Sequence, residues 1–195
     1  MTCIVGIEIT EAEWPIVIIG GDCASSDRHH ITPHARPKVF GNGSFIMGYT
    51  TSFRFGQLLE HAFTAPEHPE GMDDHKYLCT LFVDAMRDCL KQAGYSKVDN
   101  NVETGGDALL GYRGVLYTIY SDFQISRNTH GFDAVGSGYL PALGSLHTTR
   151  NSSKEPQDKL RAALEAAAEL ITTVRGPFRF IWLTYNKETG GTEIG

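Results

Sequence analysis

The second residue of the chain, Thr2, carries two groups that can cooperate in catalysis. Removal of Met1 would give Thr2 a free α-amine beside its hydroxyl. That amine has an ordinary pKa of about 7.7–8.0, so part of it is neutral at physiological pH and can act as a base. A threonine activated by its own N-terminal amine is a known type of nucleophile. The sequence therefore indicates covalent catalysis at Thr2, and Cys3 would compete only if a second residue were also removed.

A hydroxyl nucleophile of this kind benefits from a nearby cation, because the cation lowers the cost of forming an alkoxide-like oxygen. The cation in turn needs a carboxylate to hold it in place. Asp22 directly follows a run of β-branched residues, and Lys38 begins the next apolar segment. Taken singly, each residue also has an ordinary structural explanation. An aspartate after a strand is typical of a turn, and a lysine at the start of a strand is typical of an exposed edge.

The segment Gly136-Ser137-Gly138 lies where a predicted strand meets a predicted helix. A hydroxyl presented there lies beside a helix N-terminus, and the glycines permit close approach of the backbone. The same three residues would also serve as an ordinary turn and helix cap. The motif therefore gains meaning only together with Thr2, Asp22 and Lys38.

The elements that must position these residues follow from the hydrophobic periodicity. Predicted strands cover residues 2–9, 16–22, a hairpin over 38–49, 108–112, 115–120, 132–136 and 178–185. Predicted helices begin at residue 51, ending before Pro66, at 73 or 74 (to about 93), at 139, and at about 156 (to 174). Residues 25–37 are predicted to form a loop, and the tail from residue 186 is polar. Two groups of strands, each followed by a helix pair, predict two packed sheets covered by helices in one domain of 195 residues.

The composition restricts the class of protein. Apolar residues make up 41% of the chain and charged residues 21%, as in ordinary globular proteins. No apolar stretch is long enough to span a bilayer and no secretory signal is visible, so we expect a cytoplasmic protein without a membrane partner. A net charge of −6 without a basic run argues against nucleic acid as a partner.

Cysteine and histidine add no predicted site. No C-x-x-C pair is present, so buried thiols are predicted for all four cysteines, Cys3, Cys23, Cys79 and Cys89. His29, His30 and His34 have no carboxylate or cysteine at ligand spacing and are predicted to be exposed loop residues instead of metal ligands.

Taken together, five segments in this order resemble the proteasome β subunits, and above all the bacterial peptidase HslV and its relatives. The segments are Met1-Thr2-Cys3-Ile4-Val5-Gly6, Gly20-Gly21-Asp22, Lys38-Val39, Ile46-Met47-Gly48-Tyr49 and Ala134-Val135-Gly136-Ser137-Gly138. The resemblance covers nearly the whole chain. It implies an α+β fold of the N-terminal-nucleophile (Ntn) hydrolase type, a four-layer αββα sandwich.

The resemblance also implies roles for individual residues. Thr2 matches the nucleophile, Asp22 the aspartate, Lys38 the lysine that tunes the nucleophile, and Ser137 the serine that relays protons near the amine. Gly48 falls in the segment that lines the substrate cleft in that family. Thr50 and Thr51 stand where the family usually has a Gly-Gly pair whose backbone N–H binds the oxyanion, so Thr51 becomes the candidate donor.

The function implied is that of a threonine endopeptidase acting on peptides or unfolded proteins, without a metal or organic cofactor. The resemblance further implies assembly into homo-oligomeric rings. It is also compatible with an AAA+ unfoldase partner that controls the entry of substrates into the ring. Two alternatives stay open at the level of sequence. One is a non-catalytic subunit that keeps the fold for assembly, and the other is an amidase of the same fold that acts on small molecules.

Overall fold

The structure is a computed structural model that describes residues 2–26, 30–99 and 102–195. Its strands, in chain order, are β1 (Cys3–Ile9), β2 (Ile16–Asp22), β3 (Ala24–Ser26), β4 (Ile31–Pro33), β5 (Val39–Asn42), β6 (Phe45–Tyr49), β7 (Lys97–Asp99), β8 (Val102–Thr104), β9 (Ala108–Tyr112), β10 (Val115–Ile119), β11 (Ile125–Ser126), β12 (Phe132–Gly136), β13 (Phe178–Tyr185) and β14 (Thr192–Ile194). Its helices are α1 (Phe53–His61), α2 (Asp74–Tyr77), α3 (Val83–Gln92), α4 (Tyr139–Thr149) and α5 (Pro156–Leu170). A π-helical turn, Leu78–Phe82, joins α2 to α3.

Two five-stranded antiparallel sheets form the centre of the molecule. The first has the strand order β12-β1-β2-β13-β14 and the second β11-β10-β9-β6-β5. Their facing side chains form one apolar layer, which includes Ile4, Ile19, Ile46 and Leu109. Because β1 lies between β12 and β2, the start of β1 adjoins the ends of both neighbours. This pairing carries residues distant in sequence to one end of the sandwich.

Helices cover the outer face of each sheet. The α4–α5 pair packs on the first sheet through residues such as Leu146, Leu160 and Leu164. Helices α1 and α3 pack on the second sheet around an aromatic cluster that includes Phe45 and Phe82. The prediction of a four-layer αββα sandwich is therefore confirmed.

Several local predictions need correction. The predicted loop over residues 25–37 contains a short hairpin, β3 paired with β4. The last predicted helix ends at Leu170 instead of residue 174, because Ile171 adopts an extended backbone. The polar tail contributes β14, which pairs with the end of β13. These short strands have too little hydrophobic pattern to be predicted. They are defined by backbone hydrogen bonds to neighbouring segments.

The remaining expectations concern thiols and membranes. All four cysteines are free thiols, but only Cys3 and Cys23 are buried, whereas Cys79 is exposed and Cys89 partly exposed. The prediction of buried thiols is thus wrong for Cys79, which lies on the outer side of the π-helical turn, and is met only in part by Cys89. Among the described residues, no helix has the length and apolar character needed to cross a membrane.

Candidate active site

Thr2 lies at one end of the sandwich, directly before β1, and is 3% exposed. Antiparallel pairing sets Cys3 opposite Gly136 on β12 and Ile4 opposite Gly21 on β2. Thr2 therefore lies between the end of β2, which carries Asp22, and the turn after β12. The sheet register alone brings the predicted nucleophile and carboxylate together.

Lys38 approaches from the second sheet, just before β5, and is 3% exposed. Its ammonium Nζ donates hydrogen bonds to Thr2 Oγ1 and to the carbonyl oxygen of Ala24. The same Nζ lies 3.2 Å from each carboxylate oxygen of Asp22. A cation held by a carboxylate therefore contacts the hydroxyl of Thr2.

The side chains of the two charged groups are almost completely buried. Burial is the largest influence on each: it lowers the pKa of Lys38 and raises the pKa of Asp22, while their mutual attraction opposes both shifts. Asp22 Oδ1 also accepts a hydrogen bond from the backbone N–H of Cys3, at 3.2 Å. Lys38 is thus an ammonium group that gives up its proton more readily than an exposed lysine.

The hydroxyl of Ser137 contacts both the backbone nitrogen and the backbone carbonyl oxygen of Thr2. The nitrogen of Thr2 lies 3.3 Å from Ser137 Oγ, and Ser137 Oγ lies 3.2 Å from the carbonyl oxygen of Thr2. A third hydroxyl, that of Thr173, is 3.2 Å from Ser137 Oγ. Sequence reasoning missed Thr173, because it was assigned to the end of a helix and no motif surrounds it.

Cys3 is fully buried among the apolar side chains beneath α4 and α5. Burial raises the pKa of its thiol to about 12, with the carboxylate of Asp22 acting in the same direction. A thiol in this environment stays protonated and is a poor nucleophile. Its backbone N–H, which holds Asp22, is its contribution to the site.

A cleft of about 380 Å³ opens beside Thr2. Its lining residues come from the ends of strands and from the segment before α1: Thr2, Ala24, Ser25, Lys38, Tyr49, Thr50, Thr51, Ser52 and Phe53. The predicted cleft residue Gly48 is not among them. It lies in the layer between the sheets, where an added Cβ would fall 2.4 Å from Ile4 and 2.8 Å from Ile19. Gly48 therefore permits the two sheets to pack closely.

The comparisons with solved structures concern the fold. BPH from Thiobacillus denitrificans superposes with a TM-score of 0.78 at 19% identity, covering 94% of this chain and 99% of that one. HslV from Trypanosoma brucei gives a TM-score of 0.66 at 13% identity, covering 94% and 100%. The helical assembly of the Anbu complex from Pseudomonas aeruginosa gives 0.61 at 14% identity, covering 95% and 81%. The chain has the proteasome-like Ntn-hydrolase fold. No protein-family model matches the sequence, and neither does any curated protein.

Within this Ntn-hydrolase fold, Thr50 and Thr51 differ in what their backbone N–H groups do. The N–H of Thr50 donates to the carbonyl oxygen of Asp107 at 2.9 Å and is thereby occupied. The N–H of Thr51 donates to no acceptor among the described residues. Thr51 also has a φ of 70°, the left-handed conformation that favours glycine. The backbone of Thr51 thus has a conformation that glycine adopts easily, although threonine is β-branched.

One of the histidines, His34, packs against Phe53, which lines the cleft. His34 is exposed, as predicted. Its Nε2 lies 2.7 Å from Ser25 Oγ, and its ring packs on Phe53 with centroids 4.6 Å apart. His29 lies outside the described residues. Among residues 2–26, 30–99 and 102–195, no group of His, Cys, Asp and Glu side chains is arranged to hold a metal ion.

Proposed function

We propose that this chain is a threonine peptidase of the proteasome-like type, with Thr2 as nucleophile once Met1 is removed. The observation that carries the proposal is the contact of the Lys38 ammonium with both Thr2 Oγ1 and Asp22. A buried lysine with a lowered pKa is typical of catalytic sites. The fold shared with HslV supports the same conclusion.

In the proposed reaction, the α-amine of Thr2 takes the proton of Oγ1, and Oγ1 attacks the carbonyl carbon of the peptide bond. Lys38 stabilises the negative charge that develops on Oγ1. The backbone N–H of Thr51 binds the oxyanion. The C–N bond then breaks, the leaving amine takes the proton from the α-ammonium, and an ester with Thr2 remains.

Hydrolysis of the ester uses the same groups. The α-amine takes a proton from water, the hydroxide oxygen attacks the ester carbon, and the C–Oγ1 bond breaks. Oγ1 recovers its proton from the α-ammonium, and the carboxylic acid leaves. Ser137 is proposed to keep the amine in place, since it hydrogen-bonds the Thr2 nitrogen.

Several wider properties belong to the same proposal. We infer one domain over residues 1–195, a cytoplasmic location, and a homo-oligomeric ring that accepts peptides or unfolded protein. A neighbour in this fold, Anbu, forms a helical assembly, and such assembly supports an oligomeric state. An AAA+ unfoldase is the proposed partner for folded substrates.

The decisive experiment starts from a chain whose first residue is Thr2, released from a cleavable tag, beside a chain that keeps Met1. We expect only the Thr2-initiated protein to hydrolyse fluorogenic peptides and to bond a peptide vinyl sulfone, detected by intact mass. Thr2→Ala should abolish both activities. Thr10→Ala, an exposed threonine just beyond the other end of β1, is the matched control and should behave as wild type.

Retained turnover in Thr2→Ala would remove Thr2 from the mechanism. BPH has been solved in complex with epoxomicin, so we also expect epoxomicin to raise the unfolding temperature of the Thr2-initiated protein but not of Thr2→Ala.

The bulk of Thr51 at the expected glycine position favours one second candidate, a non-catalytic subunit that keeps the fold for assembly. The measurement that separates the two is turnover by the assembled Thr2-initiated protein. A correctly assembled particle without any peptide hydrolysis would support the non-catalytic subunit.

A further inference from the structure

The segment Thr50-Thr51-Ser52 separates two cavities. One is the cleft of about 380 Å³ beside Thr2, and the other is a basin of about 560 Å³. The basin is lined by Thr51, Ser52, Gly94, Tyr95, Thr104 and Gly105. Thr51 and Ser52 line both, so a ligand that extends from the cleft into the basin must pass over them. We refer to Thr51 and Ser52 as the ridge.

The ridge contains a strained residue. A β-branched side chain at φ 70° is a genuine outlier, because its Cβ is crowded by the neighbouring carbonyl group. Strain of this kind persists where the surrounding structure imposes it, and it clusters at functional sites. Thr51 is exposed and lines both cavities.

Hydrogen-bond partners fix the direction of the Thr51 hydroxyl. Thr50 Oγ1 lies 2.9 Å from the carbonyl oxygen of Asp107, which can only accept, so the Thr50 hydroxyl donates its single proton there. Thr50 Oγ1 is also 3.2 Å from Thr51 Oγ1. With the Thr50 proton already used, Thr51 must be the donor in this second bond. The proton of Thr51 therefore points to Thr50, and a lone pair of Thr51 Oγ1 stays available to a ligand.

We propose that Thr51 Oγ1 accepts a hydrogen bond from a backbone N–H of a peptide that crosses the ridge from the cleft into the basin. This inference rests on the proposed peptidase function and names an additional substrate-positioning residue for it. The side chains that line the basin are neutral, so they provide no counter-charge for a charged group of the substrate. Thr51 then uses its backbone N–H for the oxyanion and its side-chain oxygen for the substrate chain.

The test combines two changes in a double-mutant cycle. Thr51→Val keeps the β-branched shape and the strained backbone but removes the acceptor. A series of peptide substrates, each methylated at one backbone nitrogen, removes one donor at a time. With the unmethylated peptide, we expect Thr51→Val to raise KM about three- to tenfold, the loss of one hydrogen bond, with a smaller change in kcat.

One methylated peptide should show the same loss with wild type and no further loss with Thr51→Val. Thr51→Ser, which keeps the hydroxyl, should restore the KM. Thr80→Val, an exposed hydroxyl on the π-helical turn, is the matched control and should leave KM unchanged.

The outcomes separate the two proposals. If wild type hydrolyses peptides but Thr51→Val adds its full effect to every methylated peptide, the acceptor role is overturned and the peptidase stands. If the Thr2-initiated wild type hydrolyses no peptide, the proposed function itself fails. The same KM for Thr51→Val and wild type would also overturn the acceptor role.

Discussion

Two buried carboxylates lie at opposite ends of β1, Asp22 on the neighbouring strand β2 and Glu8 on β1 itself, and they have parallel surroundings. Asp22 accepts a hydrogen bond from the backbone N–H of Cys3 and forms an ion pair with Lys38. Glu8 accepts a hydrogen bond from the backbone N–H of Leu116 and forms an ion pair with Arg127. The side chains of Asp22 and Glu8 are 0% and 4% exposed. Each carboxylate therefore connects β1 to its surroundings in the same way.

The cations differ. The Lys38 side chain is 4% exposed, and its Nζ reaches a hydroxyl beside a cleft. The Arg127 side chain is 50% exposed, and its guanidinium group contacts both oxygens of Glu8. Burial lowers the pKa of Lys38, whereas the hydrogen bonds to Glu8 raise the pKa of Arg127. The pKa of a buried ammonium group shifts readily, as a catalytic group requires. A paired, half-exposed guanidinium group stays charged and is typical of a structural ion pair.

The largest effect should come from removing each cation. We expect Lys38→Ala to lower peptide turnover about a hundredfold or more, because Oγ1 loses its stabilising charge. Lys38→Ala also leaves Asp22 buried without a counter-ion, which costs about 3–5 kcal/mol of unfolding free energy. Arg127→Ala should keep wild-type turnover and cost only about 1 kcal/mol, since water replaces the half-exposed cation. Steady-state kinetics and urea unfolding measure both, and similar turnover losses in the two variants would break the contrast.

The carboxylates should differ in their effect on pH dependence. We expect kcat/KM of the wild type to rise as the α-amine loses its proton and to fall as Lys38 loses its own. The charge of Asp22 raises the pKa of Lys38. Asp22→Asn removes that attraction, so the pKa falls further and the descending limb moves to lower pH. Glu8→Gln is the control, because Arg127 stays protonated and the profile should keep its shape. An unshifted descending limb in Asp22→Asn would exclude Lys38 as its cause.

A smaller effect is expected from two bridging hydroxyls. Ser137 Oγ contacts the nitrogen and the carbonyl oxygen of Thr2, whereas Thr118 Oγ1 donates to Asp133 at 2.6 Å, away from the cleft. We expect Ser137→Ala to lower kcat about tenfold through a misplaced amine. Thr118→Val should cost about 1–3 kcal/mol of unfolding free energy without lowering kcat. Equal kcat values for Ser137→Ala and wild type would contradict the role of Ser137.

The smallest effect concerns backbone strain at the ridge. Thr51→Gly should raise the unfolding free energy by about 1 kcal/mol, because glycine adopts φ 70° without crowding, although it gains entropy in the unfolded chain. Arg113, at φ 49° in the turn between β9 and β10, is the comparison at the opposite end. Both variants lose a hydrogen bond, but Arg113→Gly should gain less, because its 2.9 Å bond to Asp74 joins two charged groups and is stronger than the neutral 3.2 Å bond between the Thr51 and Thr50 hydroxyls. Urea unfolding of both variants tests this order, and a less stable Thr51→Gly would argue against strain.

Much of the fold could be predicted from the sequence because long elements carry their own pattern. The β-branched run of β2 and the apolar stripe of α5 each predicted an element of the right type and near the right place. The short strands β3, β4 and β14 could not be predicted, since pairing with neighbours defines them. The π-helical turn Leu78–Phe82 was missed for a related reason, because the apolar stripe continues through it.

The sequence by itself determined the chemical groups: a hydroxyl beside a potential α-amine at Thr2, a carboxylate at Asp22 and an ammonium at Lys38. It also placed each at the end of an element. Only the tertiary structure decided that Lys38, from the other sheet, reaches Thr2, that Thr173 joins Ser137, and that Gly48 lies in the core. The physical reason is that residue type and periodicity are local properties, whereas distance and burial depend on how the two sheets pack.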